Sequence, residues 1–249
     1  ISESLLRDAA AHGANLMHIR LGPNSPVLEP RPAMRPYILP DGAWNPEFFA
    51  GLNRLLDTAW SVGVTLEIDL IDGWELKRPE QSAWNADCSL LQHAPGRTQR
   101  DWLNKVGDEI GAHENILWQI SNESGYCPPL GTTPDWEIGV AQIVRAREQM
   151  RRVGPHPIAT NGGIRKADMS PAIDYIETHQ SVAAEQTGAN KPVGVNEYNP
   201  YIGTAEFRAQ LEQADRNGTF FFLWLSDATA RERTEALDII AEWRRTHES

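Results

Sequence analysis

The stretch ENILWQISNESGYCPP, residues 114–129, decides how the rest of the chain is read. Ile116, Leu117, Trp118 and Ile120 make an apolar run suited to a buried strand. The run breaks into Asn122 and Glu123, then into Gly125, Pro128 and Pro129, residues that punctuate rather than continue a central strand. A strand fit for a dry core therefore ends on a carboxylate. Working outward from it, the same unit recurs: a short apolar, β-branched run followed by a longer amphipathic stretch.

Toward the N-terminus, residues 2–13 predict a helix ending near Gly13, and ANLMHIRLG (14–22) predicts a strand. Residues 45–63 predict a helix with Asn45 as cap, Pro46 in its first position and Gly63 at its end. VTLEIDLID (64–72) is the next strand and residues 98–111 the next helix. Toward the C-terminus, a helix over 134–154 precedes strands at 156–163 and 173–180 and a short helix over 181–188. The strand KPVGVNEYN (191–199), a helix over 204–218, the strand TFFFLWLS (219–226) and a helix over 230–246 complete the pattern.

Strands that alternate with helices, and are apolar on both faces, predict an α/β fold with a parallel sheet covered by helices. Seven predicted strands behind an opening helix suit a (β/α)8 TIM barrel whose first strand is absent from this chain, expected just upstream of Ile1. No low-complexity segment or Gly/Ser linker divides the sequence, so residues 1–249 are expected to form a single domain. The proline-rich segment 22–44 is long for a loop, and long loops in compact domains tend to be functional. In a barrel it would lie on the rim formed by the strands' C-terminal ends.

The net charge of −11 argues against nucleic acid or an anionic membrane as partner and leaves a neutral substrate unpenalised. No apolar run approaches the roughly 20 residues that span a bilayer. The start, ISESLLRDAA, has neither an initiator Met nor a signal-peptide layout, so either a leader was removed or the chain is part of a longer one. Cys88 and Cys127 are too few for a disulfide framework or a structural zinc site; one bridge and two free thiols both fit, and the compartment stays open.

Glu123 and Glu197 each follow an asparagine at the predicted end of a strand, Asn122 and Asn196. Parallel barrel strands deliver those ends to one rim, where residues remote in sequence converge. Two carboxyls, one protonated and one charged, are the minimum equipment for cleaving a glycosidic bond, and their mutual repulsion helps to keep one protonated. Taken singly, a strand-end glutamate is more often a surface group or an ion-pair partner. Here GANLMHIRLG, ILWQISNES, KPVGVNEYN and FFFLWLS place Arg, Asn-Glu, Glu and Trp on successive strand ends.

In that order the chain resembles clan A glycoside hydrolases of the cellulase and mannanase type. The resemblance implies a retaining β-glycosidase that hydrolyses a β-linked oligo- or polysaccharide, with carbohydrate as its partner and no cofactor. It implies Glu123 as acid/base, Glu197 as nucleophile, Arg20 as the group holding Glu197 ionised, and Asn122 on the sugar 2-hydroxyl. Trp224 would floor the sugar subsite, and His179 would stand near the nucleophile. One departure is Ile71, near the position where the family often has a sugar-binding His; Asp72 or Trp74 would take over that contact. The sixth strand carries His179-Gln180-Ser181 in place of His-x-Tyr.

Trp44, Trp74, Trp84 and Trp136 are expected in loops at the active rim, some lining a sugar cleft, whereas Trp60 and Trp102 are expected to pack against the barrel. The chain has no HExxH, Cys-x-x-Cys or calcium loop, so no metal is expected, and no GxSxG of a serine hydrolase. The rival from another class is a carbohydrate-binding barrel without catalysis. A metal-dependent lyase or aldolase would call for a ligand cluster or a lysine on the rim, and the sequence suggests neither.

Overall fold

The computed structural model describes residues 2–21, 37–39, 41–76, 88–122, 132–160, 165–178, 190–198, 204–223 and 230–247, with 74, 75, 165, 166, 195–198, 204, 221–223 and 230 described by backbone alone. The chain runs α1 (Glu3–Ala11), β1 (Leu16–Arg20), α2 (Pro46–Ser61), β2 (Thr65–Asp69), α3 (Gly73–Leu76), a 3-10 turn (Cys88–Leu91), α4 (Arg97–Ile110) and β3 (Ile116–Gln119). It continues through α5 (Pro134–Arg151), β4 (Ile158–Thr160), α6 (Arg165–Asp168), β5 (Tyr175–Thr178), β6 (Val193–Tyr198), α7 (Thr204–Asn217), β7 (Phe220–Leu223) and α8 (Ala230–His247).

Helix starts follow the capping chemistry in the sequence. Ser2 accepts a hydrogen bond from Leu5 N at α1, Asn45 from Glu47 N at α2, and Thr133 from Trp136 N at α5, with Pro46 and Pro134 opening the latter two. The predicted strands and long helices all form. Sequence patterning passed over α3, α6 and the 3-10 turn, each of four residues and too short to show a period. The expected helix over 181–188 and most of the proline-rich loop lie outside the described residues. Of that loop, Tyr37 is buried, with its ring centroid 4.3 Å from that of Trp102.

The seven strands form one parallel sheet in chain order, β1 to β7. The sheet curls until β1 and β7 come into contact, although no backbone ladder joins them among the described residues. The last helix reaches the first: Arg244 donates to the Gly13 carbonyl just after α1, and His12 Nε2 lies 3.3 Å from Asp238 of α8. These contacts clasp the two ends of the fold together.

The outward side of the sheet packs on the helices through Ile19, Leu66, Ile68, Ile116, Trp118 and Ile158, which meet Leu56, Leu103, Val106 and Val140 in one core. Trp102 is fully buried in it and donates to the Leu70 carbonyl at 2.7 Å. A smaller cluster joins Phe207, Leu211 and Ala214 of α7 to Ala236, Ile239 and Ile240 of α8. Polar ties also fix the outer layer: Trp118 donates to Glu148 of α5 at 2.9 Å, and the His156 ring meets the same carboxylate at 2.7 Å.

The expectation of strands apolar on both faces is corrected by the inner face. Registers pair His18 with Glu67, Arg20 with Asp69, and Asp69 with Gln119, so these five polar side chains share the inner face of β1, β2 and β3. Tyr175 and Glu177 do the same on β5. Three tryptophan expectations also change. Trp136 lies in the first turn of α5 and is fully buried, so it is core and not cleft. Trp60 is 61% exposed on α2 instead of packing against the sheet. Trp44 packs on the core beside Trp102, with ring centroids 5.9 Å apart.

Candidate active site

All seven strands are parallel, so their C-terminal ends share one rim. Arg20 closes β1 there, and Asp72 and Asn122 follow β2 and β3. Asp72 and Asn122 form an isolated parallel bridge, and Asn122 Nδ2 donates to Asp72 Oδ1 at 3.2 Å, with both residues almost wholly buried. The bridge continues the β2–β3 ladder past its formal end, which fixes both side chains where the strands open. Position 197 lies near the C-terminal end of β6. Between Val195 and Tyr198, β6 uses three steps where β7 uses two, from Phe221 to Leu223. One extra residue of this kind exchanges the two faces of a strand for everything after it, and such bulges recur beside active sites.

The structure thus brings Arg20, Asp72, Asn122 and the backbone of residue 197 to one rim. Trp74 belongs to the short helix α3 on that side rather than to a loop. Glu123, His179, Trp224 and Trp84 lie outside the described residues, as do the side chains of Glu197 and Trp74. Cys88 is disulfide-bonded, which decides between the bridge and the free thiol at that position.

Below this rim lies a layer that the sequence motifs did not disclose. His18 Nδ1 meets Glu67 Oε2 at 2.8 Å and its Nε2 meets Asp69 Oδ2 at 2.7 Å. Tyr175 donates its hydroxyl to the other oxygen of Glu67, and Glu177 also hydrogen-bonds Glu67. Glu67, Asp69 and Glu177 are fully buried. Burial alone would lower the His18 pKa, but the Asp69 and Glu67 carboxylates outweigh it and hold His18 well above the ordinary imidazole value. Burial pushes Asp69 up to about 6 against the pull of His18, with Arg20 also favouring its charge. Burial, then Glu67, raises the Glu177 carboxyl well above the carboxylate range. The signal was present in the strict alternation of Leu66-Glu67-Ile68-Asp69-Leu70, which puts every acid on one face.

His18, Glu67 and Glu177 place potential ligand atoms within 4.8 Å of one another, which is compact enough for a cation. The donor chemistry suits a proton better. Both His18 nitrogens are engaged by carboxylates, and only an imidazolium can donate from both.

No family model matches the sequence, and no curated protein matches it. The solved structures that share its fold include several glycoside hydrolases. The endo-β-1,4-mannanase from Thermotoga petrophila is 14% identical with a TM-score of 0.67, over 100% of this chain and 75% of that one. A glycoside hydrolase family 5 enzyme from Prevotella bryantii, solved with a xyloglucan tetradecasaccharide, is 9% identical with a TM-score of 0.63, over 97% of this chain and 86% of that one. A Bacteroides vulgatus protein is 15% identical with a TM-score of 0.64, over 89% of this chain, which spans only 47% of that protein's length. Among the described residues, no helix is long and apolar enough to cross a membrane.

Proposed function

We propose that this protein is a retaining β-glycosidase acting on a β-linked oligo- or polysaccharide, built on a (β/α)8 barrel to which these residues contribute seven strands. The observation that carries this reading is the convergence of Arg20, the Asp72–Asn122 pair and position 197 on one rim of a parallel sheet. The fold shared with a mannanase and a xyloglucan-binding enzyme supports the substrate class.

Glu197 attacks the anomeric carbon while Glu123 protonates the departing oxygen; Glu123 then takes a proton from water as it displaces Glu197. Arg20 keeps Glu197 ionised. Asn122, anchored through Nδ2 to Asp72, keeps its carbonyl oxygen and second amide hydrogen for a sugar hydroxyl. The acidic chain suits a neutral glycan over a uronic one. The decisive experiment hydrolyses a panel of aryl-glycosides and polysaccharides, with the product anomer followed by NMR. Retention of configuration is expected, and Glu197→Gln should abolish turnover while oligosaccharide binding persists. Inversion, or substantial activity in that variant, would overturn the mechanism; binding without any turnover would favour the non-catalytic carbohydrate-binding barrel.

A further inference from the structure

Three buried carboxylates and a histidine in one layer are costly to fold, because replacing such a group by packed apolar residues is often neutral or stabilising. The outer core shows that this chain can pack apolar side chains well, so the polar inner layer calls for a reason. Its bonding supplies one. His18 is clamped between Glu67 on one side and Asp69 on the other. Asp69 is the register partner of Arg20 on the adjoining strand and shares its face. Glu67 is held in turn by Tyr175 and Glu177 from β5, on the far side of the interior. The chain of contacts therefore runs from β5 through β2 to β1 and ends beside the arginine at the rim.

We propose that His18 and Asp69 are a positioning pair for Arg20, with Glu67, Tyr175 and Glu177 holding the pair in place from β5. The inference rests on the glycosidase reading for its consequence, since Arg20 is the group that keeps the nucleophile charged there. Charge balance supports it. An imidazolium at His18 and the guanidinium of Arg20 offset the carboxylates of Glu67 and Asp69, which leaves Glu177 to be a neutral acid donating to Glu67. With Oδ2 given to His18, Asp69 retains Oδ1, a buried oxygen with no hydrogen-bond partner on the side chain that neighbours Arg20. Gln119, the next register partner, likewise has both amide atoms buried and unbonded. Asp69 therefore acts on Arg20 through charge across the register and not through a direct hydrogen bond. Among the described residues, the charged or titratable groups that face His18 are Arg20 on its own strand, Glu67 and Asp69 on β2, and Glu177 with Tyr175 on β5.

The test has one arm independent of any activity. Nitrogen-15 NMR of the imidazoles, with His18 assigned by comparison with His18→Gln, should show both ring nitrogens of His18 protonated at pH 8, where an ordinary His is neutral. Glu177→Gln keeps the shape of a neutral acid and should leave the unfolding midpoint unchanged between pH 6 and 8, whereas Glu67→Gln should lower it. A neutral His18 at pH 7, or zinc bound stoichiometrically by the metal-free protein with loss of those proton signals, overturns the network.

The second arm uses turnover. Asp69→Asn removes a negative charge beside Arg20 while Glu67 still holds His18, so the acidic limb of kcat/KM should move to lower pH by roughly half a unit to one unit. A fall in kcat of about tenfold or more with KM nearly constant should accompany it. A uniform loss without movement of the limb would make the layer merely structural and overturn the positioning role. If the wild type turns over no glycoside, it is the glycosidase reading that fails, and the NMR arm still decides the network.

Discussion

Glu137, in the first turn of α5, shows how one side chain can set a pH dependence away from the rim. It is buried, accepts from Thr132 at 2.6 Å, and leaves its second oxygen unbonded. Burial raises its pKa to about 7, with Asp168 adding to the effect. Between the ordinary carboxylate value and about 7 the folded state holds a proton that the unfolded chain has given up. Stability therefore falls as pH rises through this window, and the cost is complete above it, at about 3 kcal/mol. Glu137→Gln should flatten that limb and raise the urea midpoint at pH 8 relative to wild type; an unchanged slope between pH 5 and 8 would contradict the assignment. Legibility at this scale was uneven. Arg20, Asp72 and Asn122 were visible because each stands at a strand end, where a polar residue interrupts an apolar run. His18, Glu67 and Glu177 stand inside strands, where a polar residue looks like an ordinary solvent-facing position until the sheet is known to curl around it.

Elements were more legible than their decoration. Capping residues, short apolar runs and the helical period of 3.6 located the strands and long helices among the described residues, since local hydrogen bonding and burial set both. What local pattern could not show was the bulge in β6, because an extra residue is defined only against a partner strand. Gly194, just before it, meets the neighbouring strand closely: a Cβ there would lie 2.5 Å from the Phe220 ring. Gly194→Ala should therefore push β6 from β7 and lower stability by about 1–3 kcal/mol, with activity lost beyond what stability explains because position 197 moves too. Thermal melting and kcat, measured together, check this; a variant with wild-type values would show that the strands give way freely. At the start of α5, Thr133→Ala should cost about 1 kcal/mol by removing the bond to Trp136 N. That loss should be independent of catalysis.

Across the whole molecule, a single curled sheet with a nonpolar outer layer and a charged inner one separates two tasks. The outer layer supplies stability: Trp102→Ala should cost about 3–5 kcal/mol, since it removes a fully buried ring and strands the Leu70 carbonyl. The inner layer sets charge at the rim and contributes little net stability. The clasp between α8 and α1 belongs to this scale as well. Arg244→Ala should lower the melting temperature by a few degrees, read by calorimetry, without altering the His18 titration.

That clasp spans 231 positions of sequence, from Gly13 to Arg244. During synthesis the ribosome releases Gly13 early, and at about 5–20 residues per second its partner follows only after roughly ten seconds or more. Throughout that interval His12 and Gly13 wait without the helix that holds them. Productive folding is then a race between the arrival of α8 and capture of the waiting N-terminal segment by another nascent chain. Slowing translation through the codons of α8 should lower soluble yield.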